Sequence, residues 1–194
     1  IDIVDNSNLV EETIEMVERE RADSLYITTT PDFEGMTAEE AVDLLEDSGI
    51  DSNYTATYWP WVQVNDTENN ILIYLPPTRD VVRNIAITDN ISFPWFAVAG
   101  IQRGDMNVVK ARKKLTLEER DILYEGRINP IATFSSEGVK IWGNKTLQVK
   151  DTALNRINVR RLLLQARKLI SAVSIRLLFE QNDAVVRNQF LALV

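Results

Sequence analysis

The sequence predicts an α+β fold, a mixed β-sheet flanked by several helices, and three observations carry that prediction. Two capping boxes, Thr37-Ala-Glu-Glu40 and Thr116-Leu-Glu-Glu119, each announce a helix start. Two β-rich runs, residues 54–64 and 71–75, flank the turn-forming loop Asn65-Asp-Thr-Glu-Asn69. A long amphipathic helical pattern then occupies residues 153–178. With 194 residues, 45% hydrophobic and 26% charged, the chain can bury a core as one large domain or two small ones.

Taken in order, Val10, Ile14 and Val17 recur at helical spacing behind Asn8 and predict a helix over residues 9–19, followed by a short strand over 24–29. The first capping box opens a helix with Ala41, Leu44 and Leu45 on its apolar side, which Gly49 ends. The two β-rich runs are expected to pair as a hairpin, closed by Pro76-Pro77, and the Trp59-Pro-Trp61 stretch reads as strand core. A third helix is predicted from Thr78 through Val81, Val82 and Ile85. Residues 92–100 are apolar but punctuated by Pro94 and Gly100, which favours a packed turn. The second capping box gives a helix over 117–124, and two short strands follow around Ile131 and over 139–142.

On the last helix, Val159, Leu162, Leu163, Ala166, Leu169, Ile170 and Val173 share one broad face, which is expected to meet the core. Arg156, Arg160 and Arg167 fall on another face, with Arg161 and Lys168 beside them around an apolar line of Ile157, Leu164 and Ile175. A solvated face accounts for the arginines, but exposed Leu164 and Ile175 ask for a partner.

Composition narrows the chemistry. Without cysteine there is no disulfide or thiolate site, and without histidine the usual general base and commonest metal ligand are missing. The net charge of −8 is unevenly spread: residues 1–52 hold sixteen acids and two bases, −14, leaving +6 for the rest. That asymmetry fits either a partner for each half or two solvated faces. The apolar segment 162–178 is interrupted by Arg167, Lys168 and Arg176, so no transmembrane helix is predicted. The chain opens at Ile1-Asp-Ile-Val-Asp5 without a signal-peptide pattern and is expected to be a piece of a longer chain.

Phosphate-binding glycine loops, a nucleophile elbow and a zinc-protease motif are absent from the sequence. Asp2, Asp5, Glu11 and Glu12 loosely resemble a calcium loop but lack its central glycine and alternating ligands, so they are expected to be a solvated helix start, and no metal or cofactor is assigned. Basic runs at 110–114 and 160–161 lack the aromatic interleaving of nucleic-acid readers. A carboxylate and magnesium-dependent enzyme and a nucleic-acid-binding module stand as the alternatives.

One set of motifs is more specific. Pro94-Trp95-Phe-Ala-Val-Ala-Gly100, then Arg103-Gly104, Asn129-Pro130-Ile131, Gly138-Val-Lys-Ile-Trp142-Gly143, Lys145-Thr146-Leu147 and Ile157-Asn-Val-Arg160-Arg161-Leu162 occur in one order. Over residues 55–194 this resembles the contractile tail sheath proteins of phages, related to the sheaths of pyocins and type VI secretion systems. The resemblance implies a non-enzymatic subunit of a helical polymer around a tail tube, whose contraction drives the tube through a host envelope. It implies as partners other sheath subunits, the tube, a baseplate and a tail terminator, with no nucleic acid and no membrane insertion. It implies a place in the virion tail, assembled in the bacterial cytoplasm.

Under the resemblance, residues 51–194 would be the sheath core, and 1–50 part of the inner α/β core or its junction with a variable outer region. The strand-exchange arms of the family would be missing from both ends. Pro94, Trp95, Gly100, Asn129, Pro130, Gly138, Trp142, Gly143 and Thr146 would be structural, with Trp142 packed in the core and Gly143 permitting a sharp exit. Arg156, Arg160, Arg161, Leu164, Arg167 and Lys168 would contact the tube or a neighbouring subunit.

Overall fold

In the computed structural model, which describes residues 7–193, a mixed four-stranded sheet separates two helical layers. Its strands are β1 (Tyr26–Thr29), β2 (Thr55–Trp59), β6 (Ile128–Phe134) and β7 (Gly138–Ile141), in the order β1-β2-β6-β7. The first three are parallel, and β7 returns antiparallel to β6. Parallel strands need crossovers, and helices supply them: α2 (Ala38–Asp47) lies between β1 and β2, and α5 (Leu117–Glu125) precedes β6. Both helices open with the capping boxes legible in the sequence: the Thr37 and Thr116 hydroxyls accept from the Glu40 and Glu119 amides, and the glutamates reach back.

All five side chains of β2 are buried, as a central strand covered on both faces requires. Alternation then assigns them. Trp59 joins Ala41, Leu45, Leu123 and Ile128 under α2 and α5, along with Val10 from α1 (Ser7–Glu15), which continues as one π-helical stretch, Met16–Arg21. Ala56 and Tyr58 point the other way, to Val81 of α3 (Thr78–Ile91), Ile131, Ile141 and Ile157.

The expected hairpin is only partly right. Residues 54–64 are two strands: Pro60, with no amide hydrogen to donate, follows β2, and β3 (Val62–Asp66) pairs antiparallel with β4 (Ile71–Leu75) in a second sheet. The two-residue β5 (Lys110–Ala111) completes that sheet on the other edge of β3. A short α4 (Gly100–Arg103) follows the aromatic turn, where the Phe93 and Trp95 rings stack at 4.9 Å. Of the calcium-like acids, Asp2 and Asp5 lie outside the described residues, and Glu11 and Glu12 are exposed on α1.

Asp32 links the two sheets. Its carboxylate accepts from the Trp61 amide at 2.7 Å and stands 3.3 Å from Arg112, which lies over the Tyr74 ring. Burial pushes its pKa up, against the pull of the Trp61 amide and Arg112. The folded chain therefore holds this proton more tightly than the unfolded chain, so stability falls as pH rises from Asp32's ordinary range through its raised one. Asp32→Asn is expected to flatten that fall in thermal melts run between about pH 4 and 7. An unchanged pH profile would show that Asp32 does not cause it.

Candidate assembly interface

The motif residues converge on one loop. Asn129, fully buried on β6, donates from Nδ2 to the Thr57 carbonyl at 3.0 Å and the Lys145 carbonyl at 2.8 Å, while its Oδ1 accepts from the Lys145 amide at 2.7 Å. That amide group thus pins residues 143–145 to the central strands. Gly143 is required by this closeness rather than by a sharp exit: a Cβ there would sit 2.6 Å from Asn129 Oδ1 and 2.7 Å from its Cα. The Trp142 amide donates to the Pro130 carbonyl at 2.9 Å, and the Thr146 hydroxyl to Leu154 at 2.9 Å. Gly138, at φ +73°, makes the turn between β6 and β7.

Trp142 itself corrects the sequence expectation. It is 37% exposed and tilts against Phe134 with centroids 4.6 Å apart, because strand alternation sends Ile141 inward and turns its neighbour outward. Pro94, Trp95 and Gly100 lie apart from this loop, on the segment leading into α4, where Arg103 donates to the Ala97 carbonyl at 2.9 Å.

What the loop positions is α6 (Ile157–Ile175), which begins four residues later than the predicted 153, after the short turn Ala153–Asn155. The Ile157 amide donates to Asn144 at 3.0 Å, and Asn144 Nδ2 to Asn158 Oδ1 at 2.7 Å. The helix enters in the opposite rotation to the one expected. Its buried face is Ile157, Arg160, Arg161 and Leu164, spaced i, i+3, i+4, i+7. The stripe expected in the core is instead open: Leu162, Leu163, Leu169 and Ile170 are all exposed.

Partners within the chain explain why arginines can turn inward. Arg160 lies 3.9 Å over the Tyr54 ring and donates to the Asn53 side chain and backbone, and burial lowers its pKa. Arg161 pairs with Asp89 of α3, at one wall of a cleft of about 350 Å³. Arg156 donates to the Tyr124 hydroxyl. Arg160, Arg161 and Leu164 are consequently internal fasteners rather than a surface, and of the six contact candidates only Arg167 and Lys168 are exposed. The sequence did contain a signal, since those four buried positions form a helical stripe of their own.

From Arg167 to Ile175, α6 has no buried residue. Beyond it Leu178 and Phe179 are exposed, Phe179 at 96%, as are Val185 and Leu191 of α7 (Ala184–Leu193). So many exposed large apolar residues along α6 and α7 ask for a covering partner. Among the described residues no group of three or more acidic side chains is arranged to hold a metal ion, and no helix is long and apolar enough to cross a membrane.

An α/β body that clamps a long helix in place yet leaves its apolar face uncovered belongs to the class of folds whose surface asks for a further covering element. Comparison with known proteins narrows the class. No family model matches the chain. The tail sheath protein of Vibrio phage KVP40 is 36% identical over 142 residues, 73% of this chain and 20% of that protein. That of Enterobacteria phage T4 is 33% identical over 144 residues, 74% of this chain and 21% of that protein. The contracted helical sheath of the anti-feeding prophage superimposes with a TM-score of 0.68 at 25% identity, covering 92% of this chain and 46% of that one. The chain belongs to the contractile tail sheath family, and it spans about a fifth of the length of these two phage relatives.

Proposed function

We propose that the chain is the core portion of a structural, non-enzymatic subunit of a contractile tail sheath, which polymerises helically around a tail tube and contracts to drive the tube through a host cell envelope. The observation that carries this reading is the open apolar face of α6, held in a fixed rotation by the Asn129 loop, because so many exposed apolar residues on one helix ask for a partner. Curated relatives named tail sheath proteins support it from sequence.

Other copies of the subunit, the tube, a baseplate and a tail terminator are its partners. The virion tail, assembled in the bacterial cytoplasm, is its place. Contraction needs no nucleotide in this scheme: two packings of the same subunits differ in contact free energy, and a baseplate signal releases the higher one. Residues 51–194 are assigned to the sheath core, and 1–50 to part of the inner α/β core or its junction with a variable outer region. Of the basic residues on α6, Arg167 and Lys168 are the ones assigned to contact with the tube or a neighbouring subunit.

Negative-stain microscopy of the full-length protein tests this reading. Tubular polymers are the expected result. A protein that stays dispersed across salt and concentration, with its fold intact by circular dichroism, would overturn it.

A further inference from the structure

We propose that a groove between α3 and the segment 102–107 docks an acidic amphipathic helix of a partner protein. On α3, Arg83, Ile87 and Ile91 stand at i, i+4 and i+8, so they share one face, and all three are exposed. Together with Arg103 and Met106 they line a cleft of about 370 Å³. Arg103 also joins this cleft to an aromatic patch: its guanidinium lies 5.0 Å over the Phe96 ring, whose centroid is 5.8 Å from that of Phe93, and both rings are exposed. Aromatic residues and arginine are the types enriched where proteins meet.

The walls of the groove are fastened from within. Asn84, buried on α3, donates from Nδ2 to the Asp105 carbonyl at 2.6 Å and so ties one wall to the other. Lys140, buried on β7, meets the Asp105 carboxylate at 2.8 Å. Gly104 lies so close to β7 that a Cβ there would sit 2.5 Å from the Ile141 carbonyl oxygen. A surface fixed in this way loses little freedom when it binds.

Charge and backbone together select the occupant. The carboxylate among the lining residues, Asp105, is already paired with Lys140, whereas among the described residues neither Arg83 nor Arg103 has an ion-pair partner. Two uncommitted cations beside two isoleucines fit a segment that carries carboxylates beside apolar side chains. The Gly104, Asp105 and Met106 carbonyls already accept from Ile141, Asn84 and Val108, so this wall has no open strand edge and recognition falls to side chains, as when a helix lies in a groove. From Arg83 to Ile91 the groove runs about 12 Å, the length of about two helical turns. The inference stands apart from the sheath reading, since it rests on this groove alone.

The probe is a labelled helical peptide with leucines along one face and glutamates and alanines on the others, and its counterpart has lysine for each glutamate. Binding to the 194-residue chain is read by fluorescence anisotropy across a salt series. The acidic peptide is expected to bind, more weakly as salt rises, and the lysine counterpart to bind about tenfold or more less tightly. Arg83→Glu and Ile87→Gln/Ile91→Gln, changes at exposed positions checked for folding by circular dichroism, should each weaken the acidic peptide by about tenfold, the first chiefly at low salt and the second at every salt concentration. Lys150→Glu, exposed and outside the groove, makes the same charge change as Arg83→Glu and should leave most of the affinity in place. No binding of the acidic peptide, equal binding of the two peptides, or an Arg83→Glu effect no larger than that of Lys150→Glu would each overturn the proposal. Self-association of the chain that Arg83→Glu abolishes would put a second copy in the groove and overturn the choice of a separate partner. None of these results touches the sheath reading, which tube formation by the full-length protein decides.

Discussion

Replacing Asn129 by alanine lowers the unfolding free energy by about 3 kcal/mol, because it strands several buried backbone groups at once. The Lys145 amide loses its acceptor at 2.7 Å, and the Thr57 and Lys145 carbonyls lose their donors at 3.0 and 2.8 Å. Asn129 and Thr57 are fully buried and Lys145 half-buried, so water replaces these bonds only in part. Asn129→Asp keeps the acceptor for Lys145 but turns the donating nitrogen into an oxygen facing two carbonyls. It is expected to be at least as damaging at neutral pH and to recover in part on acidification, when the carboxyl regains a hydrogen to donate. Urea denaturation followed by circular dichroism measures both. The loop also holds the start of α6 through Asn144, so full-length Asn129→Ala should assemble poorly even where it remains folded. A loss below about 1 kcal/mol, the net worth of one ordinary hydrogen bond, would show that the loop is held by other means.

How much of this was legible differs between elements for physical reasons. α2 and α5 were readable to within a residue because their capping boxes are local: a hydroxyl and a carboxylate three positions apart meet the same two amides whatever the rest of the chain does. β2 and β3 merged into one expected strand because their composition is continuous, and only pairing, a long-range property, sends them to different sheets. α6 was recognised as a helix, but its rotation was inverted. Hydrophobic periodicity locates an apolar stripe without saying whether the chain itself or a neighbour covers it. Here the stripe of Leu162, Leu163, Leu169 and Ile170 is open, and the inward face takes two arginines because Asn53, Tyr54 and Asp89, distant in sequence, wait there to pair with them. Among the motif residues the order was informative, but the roles of Asn129 and Gly143 depend on an approach of two segments fourteen residues apart that no local pattern encodes.

The two tryptophans make the largest contrast. Trp59 is fully buried on the central strand, packed among Leu45, Leu123, Ile128 and Leu147, so Trp59→Ala should remove about 3 to 5 kcal/mol through lost burial and the cavity left behind. Trp142 belongs to the more specific sequence motif, yet it is 37% exposed and, among the described residues, its aromatic partner is Phe134. Its backbone amide, bonded to Pro130, survives the substitution. Trp142→Ala should therefore cost about 1 kcal/mol, the scale of one aromatic pair with partial burial. Denaturation of the two variants side by side decides the matter, because the difference between them is larger than the uncertainty of either extrapolation. Equal losses, or a larger loss at Trp142, would mean that the outward turn after Ile141 is wrong and that the sheet registers Trp142 inward. The predicted ordering would instead leave Trp142 as an outer aromatic residue on the clamped loop, where full-length Trp142→Ala can be tested for tube formation on a fold that is still intact.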